Sequence, residues 1–324
     1  MDNLKISKNL MVTRLGKSCT YLNNLPKEDA IELLEYAYQK GIRLFDVSHD
    51  LPETEVILGE WLKQTKHIDV IVSSKNNVAV KNIKDALNES LDNLQLRFIH
   101  LYSICGVDDL PLPMTLEALY YLKTQEMTGS VICGGVSLYK KRLIKDLILQ
   151  KPSFLQFPVS AVEHGVFIEI KNLLKEFSIP VIATNILGSS LFLKNFEATT
   201  LIKGVMSLLQ DNPLLITMKS KKEIDFNVDV VNTYDGSLFP LIKDICNGCQ
   251  ECDDFCVNNF TFSKFIRYCR NARSENEYLH KEGIEQLKGM YIEEDCLSCA
   301  RCKDICPLGL DIGTFIKETL IELL

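Results

Sequence analysis

The hydrophobic positions of this chain change period along its length. Short runs rich in β-branched residues, near Val12–Leu15, Ile42–Val47, Ile68–Ser74, Ile99–Ile104, Val131–Val136, Phe154–Val159, Pro180–Thr184 and Leu214–Met218, read as strands. Between them the apolar residues fall on a helical period. Ala30, Leu33, Leu34 and Ala37 form one stripe, and Ile83, Leu87, Leu91 and Leu94 form another. Strands alternating with helices predict parallel strands joined by crossover helices. Eight such units ahead of residue 232 predict an α/β fold of the closed (β/α)8 type, with its chemistry on the loops after the strands.

The polar, turn-rich stretch Asn232–Ser237 interrupts this rhythm. It predicts a barrel domain over residues 1–232 and a small second domain over residues 233–324. Helical spacing returns over Phe262–Arg273, Gly283–Met290 and Ile312–Leu324, so the second domain is expected to be mostly α-helical.

Cysteine spacing changes the picture most. Eight of the 12 cysteines form two copies of one run, Cys246-x2-Cys249-x2-Cys252-x3-Cys256 and Cys296-x2-Cys299-x2-Cys302-x3-Cys306. Pro307 follows the second run directly, whereas Val257 follows the first. The spacing reads as ligands for two 4Fe-4S clusters, with the fourth cysteine of each run serving the other cluster. Cys246, Cys249, Cys252 and Cys306 would hold one cluster; Cys296, Cys299, Cys302 and Cys256 would hold the other. Zinc sites seldom run four cysteines so densely, and a disulfide framework belongs in small secreted domains.

Charge and composition narrow the partners. The formal charge is -7, and residues 233–324 carry 16 acidic against 10 basic side chains. A general nucleic-acid partner would want a basic excess, so none is expected. The acidic surface suits a basic redox protein, or only keeps the domain solvated. No apolar run approaches the roughly 20 residues of a membrane span, and Met1-Asp2-Asn3-Leu4-Lys5 lacks the basic and apolar regions of an export signal. With so many free thiols, a cytoplasmic protein without membrane contact is expected.

Several stretches carry a resemblance. Gly41-Ile42-Arg43-Leu44-Phe45-Asp46, Glu55-Val56-Ile57-Leu58-Gly59, Leu91 to Tyr102, Leu116-Glu117-Ala118-Leu119 and Gly135-Val136-Ser137 together resemble the aldo/keto reductases. The cysteine runs extend the resemblance to the branch with a C-terminal two-cluster ferredoxin domain. It implies reduction of carbonyls by a nicotinamide cofactor through a tetrad of Asp, Tyr, Lys and His. Asp46 and Lys75 stand at two of these positions, but the tyrosine is replaced by Leu51 and the histidine by Cys105. Ser137 and Gln156 match residues that hold the nicotinamide carboxamide, while Leu138 and Val159 depart from its asparagine and stacking tyrosine. Lys219 and Ser220 lie where the phosphate loop is expected, making NADP(H) a candidate cofactor.

Leucine has no proton to give, and loss of a general acid costs about 10²–10⁴-fold in rate. A nicotinamide also delivers two electrons together, whereas a 4Fe-4S cluster takes one at a time. The leading expectation is therefore an iron-sulfur oxidoreductase whose clusters relay single electrons to a small-molecule site at the barrel mouth. Asp46, Lys75 and Cys105 would be its catalytic residues. Two alternatives stand beside it: an NAD(P)H-dependent carbonyl reductase with a rearranged acid such as His49, and a non-catalytic electron-transfer or scaffold subunit. Cys19 is a second candidate thiol, although small buried cysteines are more often packing residues, as expected of Cys133 and Cys269. The Asp46 and Lys75 pair can equally be a structural ion pair, and His164 an exposed loop residue.

Overall fold

The computed structural model describes residues 2–188, 193, 196–239, 241–242, 246–256, 260–273, 277–290 and 301–324. By its contacts the chain forms two compact units. One comprises Met1–Pro158, Ile170–Asn185 and Met206–Ser237; the other comprises Val159–Glu169, Ile186–Val205 and Leu238–Leu324.

The first unit opens with an antiparallel hairpin, β1 (Asn3–Ser7) and β2 (Leu10–Thr13). Eight parallel strands then close a barrel: β3 (Leu15–Ser18), β4 (Leu44–Asp46), β5 (Ile71–Asn77), β6 (Ile99–Cys105), β7 (Val131–Ser137), β8 (Phe154–Pro158), β9 (Val181–Thr184) and β10 (Leu214–Thr217). A helix follows each: α1 (Lys27–Gln39), α2 (Pro52–Thr65), α3 (Ile83–Leu94), α4 (Leu112–Thr128), α5 (Lys141–Leu149), α6 (Gly165–Phe177), α7 (Ala198–Leu209) and α8 (Lys221–Asn232). The expected (β/α)8 architecture is thus observed. The strand expected over Val12–Leu15 is instead two elements, the end of β2 and the start of β3. Thr13 makes the corner between them, its Oγ1 donating to the Leu15 carbonyl (2.8 Å) and accepting from the Arg43 N–H (3.1 Å).

Alternation along the strands divides the barrel interior into levels. Leu44, Leu101, Cys133, Phe154, Ile182 and Leu215 form the lower level, packed against Leu4, Ile6, Leu10 and Val12 of the hairpin. The hairpin therefore supplies the apolar floor. Two residues further along, the same faces carry Asp46, Ser73, Ser103, Gly135 and Gln156, and the interior turns polar.

In the second unit, helices α9 (Glu251–Asp254), α10 (Phe262–Ala272), α11 (Glu277–Gly289), α12 (Arg301–Ile305) and α13 (Ile312–Leu323) bear out the helical spacing of the C-terminal sequence. Phe262, Phe265, Cys269, Ala272, Leu287, Ile312 and Ile316 form their core, and Cys246, Cys252 and Cys302 pack against it half-buried. No helix among the described residues is long and apolar enough to cross a membrane.

Candidate functional site

The polar level of the barrel is organised around one carboxylate. Asp46, at the end of β4, is 2% exposed and accepts three hydrogen bonds. Lys75 Nζ donates to Oδ2 at 2.6 Å, while Ser73 Oγ (2.7 Å) and Gln156 Nε2 (3.4 Å) donate to Oδ1. Lys75 also donates to the Val47 carbonyl (3.2 Å), and Ser103 Oγ reaches Gln156 Oε1 at 3.5 Å. Burial by itself would lower the Lys75 pKa, but the charge and hydrogen bond of Asp46 outweigh it and hold the ammonium protonated. The site thus presents a fixed positive charge at the C-terminal ends of the strands.

Cys105 ends β6 within electrostatic reach of Lys75 and donates to Asp50 Oδ2 at 3.8 Å. Burial and the Asp50 charge push its pKa up, so the group is a thiol with its proton in place. Leu51, which the resemblance sets at the tyrosine position, is buried at the start of α2. The structure thus brings together Asp46, Lys75 and Cys105, the residues expected from the sequence. Sequence reasoning missed Ser73, Ser103 and Asp50, of which the first two share the strand faces of Lys75 and Leu101.

Of the other candidates, Cys19 adjoins the pair, its N–H donating to the Asp46 carbonyl (2.7 Å) and its thiol within reach of the Asp46 and Lys75 charges, whereas the two histidines are engaged elsewhere. Cys19 is fully buried, donates to the Lys17 carbonyl (3.6 Å), and burial pushes its pKa up to about 12. The His49 ring is engaged by Glu55 (3.6 Å), Glu89 (3.3 Å) and Ser90 (3.4 Å), partners on α2 and α3. Its pKa is raised, first by the hydrogen bond to Glu55, but no contact joins the ring to Lys75 among those described. His164, expected in solvent, is buried at 7% exposure.

Of the matched nicotinamide residues, Ser137 and Gln156 are register neighbours on β7 and β8. The Gln156 amide is already committed to Asp46 and Ser103, and Leu138 and Val159 are fully buried. At the start of α8, Ser220 Oγ accepts from the Glu223 N–H (3.2 Å) while Glu223 Oε2 accepts from the Lys219 N–H (2.8 Å). This reciprocal cap puts a carboxylate where a phosphate would sit. Lys219 Nζ lies 5.4 Å from the Tyr21 ring centroid.

In the second unit the first cysteine run is wound by left-handed residues, Gly248 (φ 68°) and Gln250 (φ 64°). It lies against the loop 160–165, with the N–H groups of His164 and Gly165 both donating to the Asn247 carbonyl (3.0 and 2.8 Å). A Cβ at Gly165 would stand 2.8 Å from Cys249 Cα, so only glycine allows this approach. Cys246 interacts electrostatically with Cys249 and Cys306, and Cys252 with Cys246, Cys249 and Cys302. Gly248 donates a backbone hydrogen bond to Cys246, and the Phe260 N–H points at Cys256 Sγ (3.2 Å). Burial raises the Cys246 pKa to about 11. Cys296, Cys299 and Val257 lie outside the described residues. Among the described residues no group of three His, Cys, Asp or Glu side chains is arranged to hold a metal ion.

A closed parallel barrel with a half-buried lysine paired to a buried aspartate at its C-terminal mouth defines a class of proteins. Residues 14–233 match the model of the aldo/keto reductase family, and the chain belongs to that family. Bovine prostaglandin F synthase 1 is 26% identical over 255 residues, covering 68% of this chain and 76% of that protein. Horse aldo-keto reductase family 1 member C23 is 28% identical over 232 residues, covering 61% and 68%. Among solved structures, the holo form of an aldo-keto reductase from Bacillus halodurans superposes with a TM-score of 0.61 at 18% identity, covering 72% of this chain and 91% of its own. An aldo-keto reductase from Klebsiella pneumoniae in complex with NADPH gives 0.62 at 15% identity, covering 71% and 89%. At these identities the structural likeness is one of fold.

Proposed function

We propose that this chain is an iron-sulfur oxidoreductase, an aldo/keto reductase-type barrel that binds a small molecule at its mouth and receives electrons through two 4Fe-4S clusters carried by residues 233–324. The observation supporting it is the gathering of thiols from both cysteine runs, in which Cys249 and Cys306 act on Cys246, and Cys246, Cys249 and Cys302 act on Cys252. A 4Fe-4S cube is held at four separate irons, so its thiolates stand farther apart than those around a single ion. The donor set is sulfur throughout, and N–H groups already turn toward Cys246 and Cys256, which suits a cluster's sulfur ligands. Cys256 and Cys302, with Cys296 and Cys299, would complete the second set.

Such clusters, when bound, supply electrons one at a time. The barrel's own residues then bind, orient and protonate. The Lys75 ammonium draws a substrate oxygen and stabilises charge developing on it, Asp46 fixes that ammonium in place, and Cys105 holds a transferable proton beside it. Leu51 closes the pocket with an apolar wall where the family would have an acid.

The nicotinamide alternative is favoured by the adjacency of Ser137 and Gln156 and by the NADPH-bound relative. The residues present fit it poorly, because the Gln156 amide is engaged and the α8 cap holds a carboxylate. Anaerobic reconstitution tests the leading reading. About eight irons and eight sulfides per chain are expected, as two 4Fe-4S clusters require. A chain that retains less than about one cluster's iron, yet binds NADPH saturably, would favour the alternative.

A further inference from the structure

The loop between β4 and α2, residues 47–51, brings two groups to the site. Its Val47 carbonyl accepts from Lys75 Nζ (3.2 Å), and Asp50 Oδ2 accepts from the Cys105 thiol (3.8 Å). Backbone contacts join the loop inward to β5. The His49 N–H donates to the Lys75 carbonyl (2.8 Å), the Val47 N–H to the Ser73 carbonyl (2.9 Å), and the Asn77 N–H to Asp50 Oδ1 (3.3 Å). A side chain fastens it outward, to the helices.

That side chain is the buried ring of His49. Its Nδ1 faces Glu55 Oε2 (3.6 Å) and Ser90 Oγ (3.4 Å), while Nε2 faces Glu89 Oε2 (3.3 Å). A neutral imidazole has one N–H and one lone pair, so it can donate to only one of two carboxylates; the imidazolium donates to both. The carboxylates are themselves held in place. Glu55, fully buried on α2, accepts from Ser74 Oγ (2.6 Å) and Asn93 Nδ2 (3.0 Å), and Glu89, exposed on α3, pairs with Lys81. Behind Ser90 stands Tyr102, with 3.2 Å between the two hydroxyl oxygens. The titratable groups facing the ring are thus Glu55 from α2, Glu89 from α3, Lys81 from the loop before α3, and Tyr102 from β6 through Ser90.

We propose that His49 is a positioning residue of the barrel mouth, its imidazolium a latch that ties the loop 47–51 to α2 and α3 and so keeps Asp50 on the Cys105 thiol. The latch stands on the barrel's own contacts, whatever supplies the electrons; its consequence for chemistry rests on the reading of Cys105 as a proton holder. The hydrogen bond to Glu55, then the charges of Glu55 and Glu89, outweigh burial and raise the pKa of the ring. A raised folded-state value means that the latch is complete below about pH 6.5 and is lost as the pH climbs through the higher value. Deprotonation turns a lone pair toward a carboxylate, and that arm of the latch opens.

Hydrogen exchange, read by mass spectrometry on the full chain purified anaerobically and corrected for the intrinsic effect of pH, tests the latch. The His49, Asp50 and Leu51 N–H groups are all hydrogen-bonded. Their protection should fall about fivefold between about pH 6 and about pH 9, the upper end for an ion pair that water partly screens. His49→Gln should show the low protection throughout, without a step. Glu89→Gln, a change at an exposed position, should move the step to lower pH, because a charge that favours the protonated ring is gone. Iodoacetamide labelling of Cys105, followed on its own peptide at about pH 7, should be roughly threefold faster in His49→Gln, as the carboxylate that holds the thiol proton is released. Protection that does not change with pH in the parent, or a step that His49→Gln retains, overturns the latch. Equal labelling of Cys105 in His49→Gln and the parent overturns the positioning role. A chain that fails to hold iron would leave both readouts intact, so this inference and the iron-sulfur reading fail separately.

Discussion

At the scale of single residues, the site turns on the ion pair of Asp46 and Lys75. A carboxylate as buried as Asp46 is tolerable only because Lys75, Ser73 and Gln156 surround it. Lys75→Met leaves that charge uncompensated and should destabilise the fold by about 3–5 kcal/mol, read as a lowered urea midpoint. A loss below about 1 kcal/mol would mean that the pair contributes little to the fold. Asp46, Lys75 and Cys105 were legible because their spacing survives in a resemblance. Ser73 and Ser103 could have been found by counting in twos from Lys75 and Leu101. The hold of the Asp108 carboxylate on the N–H groups of Tyr139 and Lys140 could not, since it depends on two loops and on no local period.

At the scale of elements, helices and strands were legible where one face is buried and obscure where pairing decides. Of the predicted stripe, Ile83, Leu87 and Leu94 lie buried in α3, while Leu91 is half-buried. The floor hairpin escaped notice because Leu4, Ile6, Leu10 and Val12 sit in two strands of only five and four residues. Ile68, read as a strand start, is 98% exposed, and β5 begins at Ile71. Helical spacing after residue 260 survived because α10, α11 and α13 bury one face in a common core. The joint between the loop 160–165 and the first cysteine run is an element-level device. Gly165→Ala would force Cys249 away, so reconstituted protein should lose iron faster on dilution while the parent keeps it. Equal iron retention would show that this loop does not shape the cysteine run.

At the scale of the whole molecule, the family model ends at residue 233 and the cysteine runs lie beyond it. The barrel half was legible to the level of strand order, because eight repeats of one pattern leave few topologies. In the C-terminal half the helical spacing was legible, and the cysteine spacing carries the proposal of clusters. The account holds that the barrel has kept its electrostatic anchor and exchanged a hydride source for single electrons. Its most direct test is an anaerobic titration of the reconstituted chain, following visible absorbance and paramagnetic resonance. NADPH and NADH should neither bind saturably nor bleach the chromophore, whereas a one-electron donor should load about two electrons per chain. Carbonyl reduction by NADPH in protein stripped of iron would contradict the account.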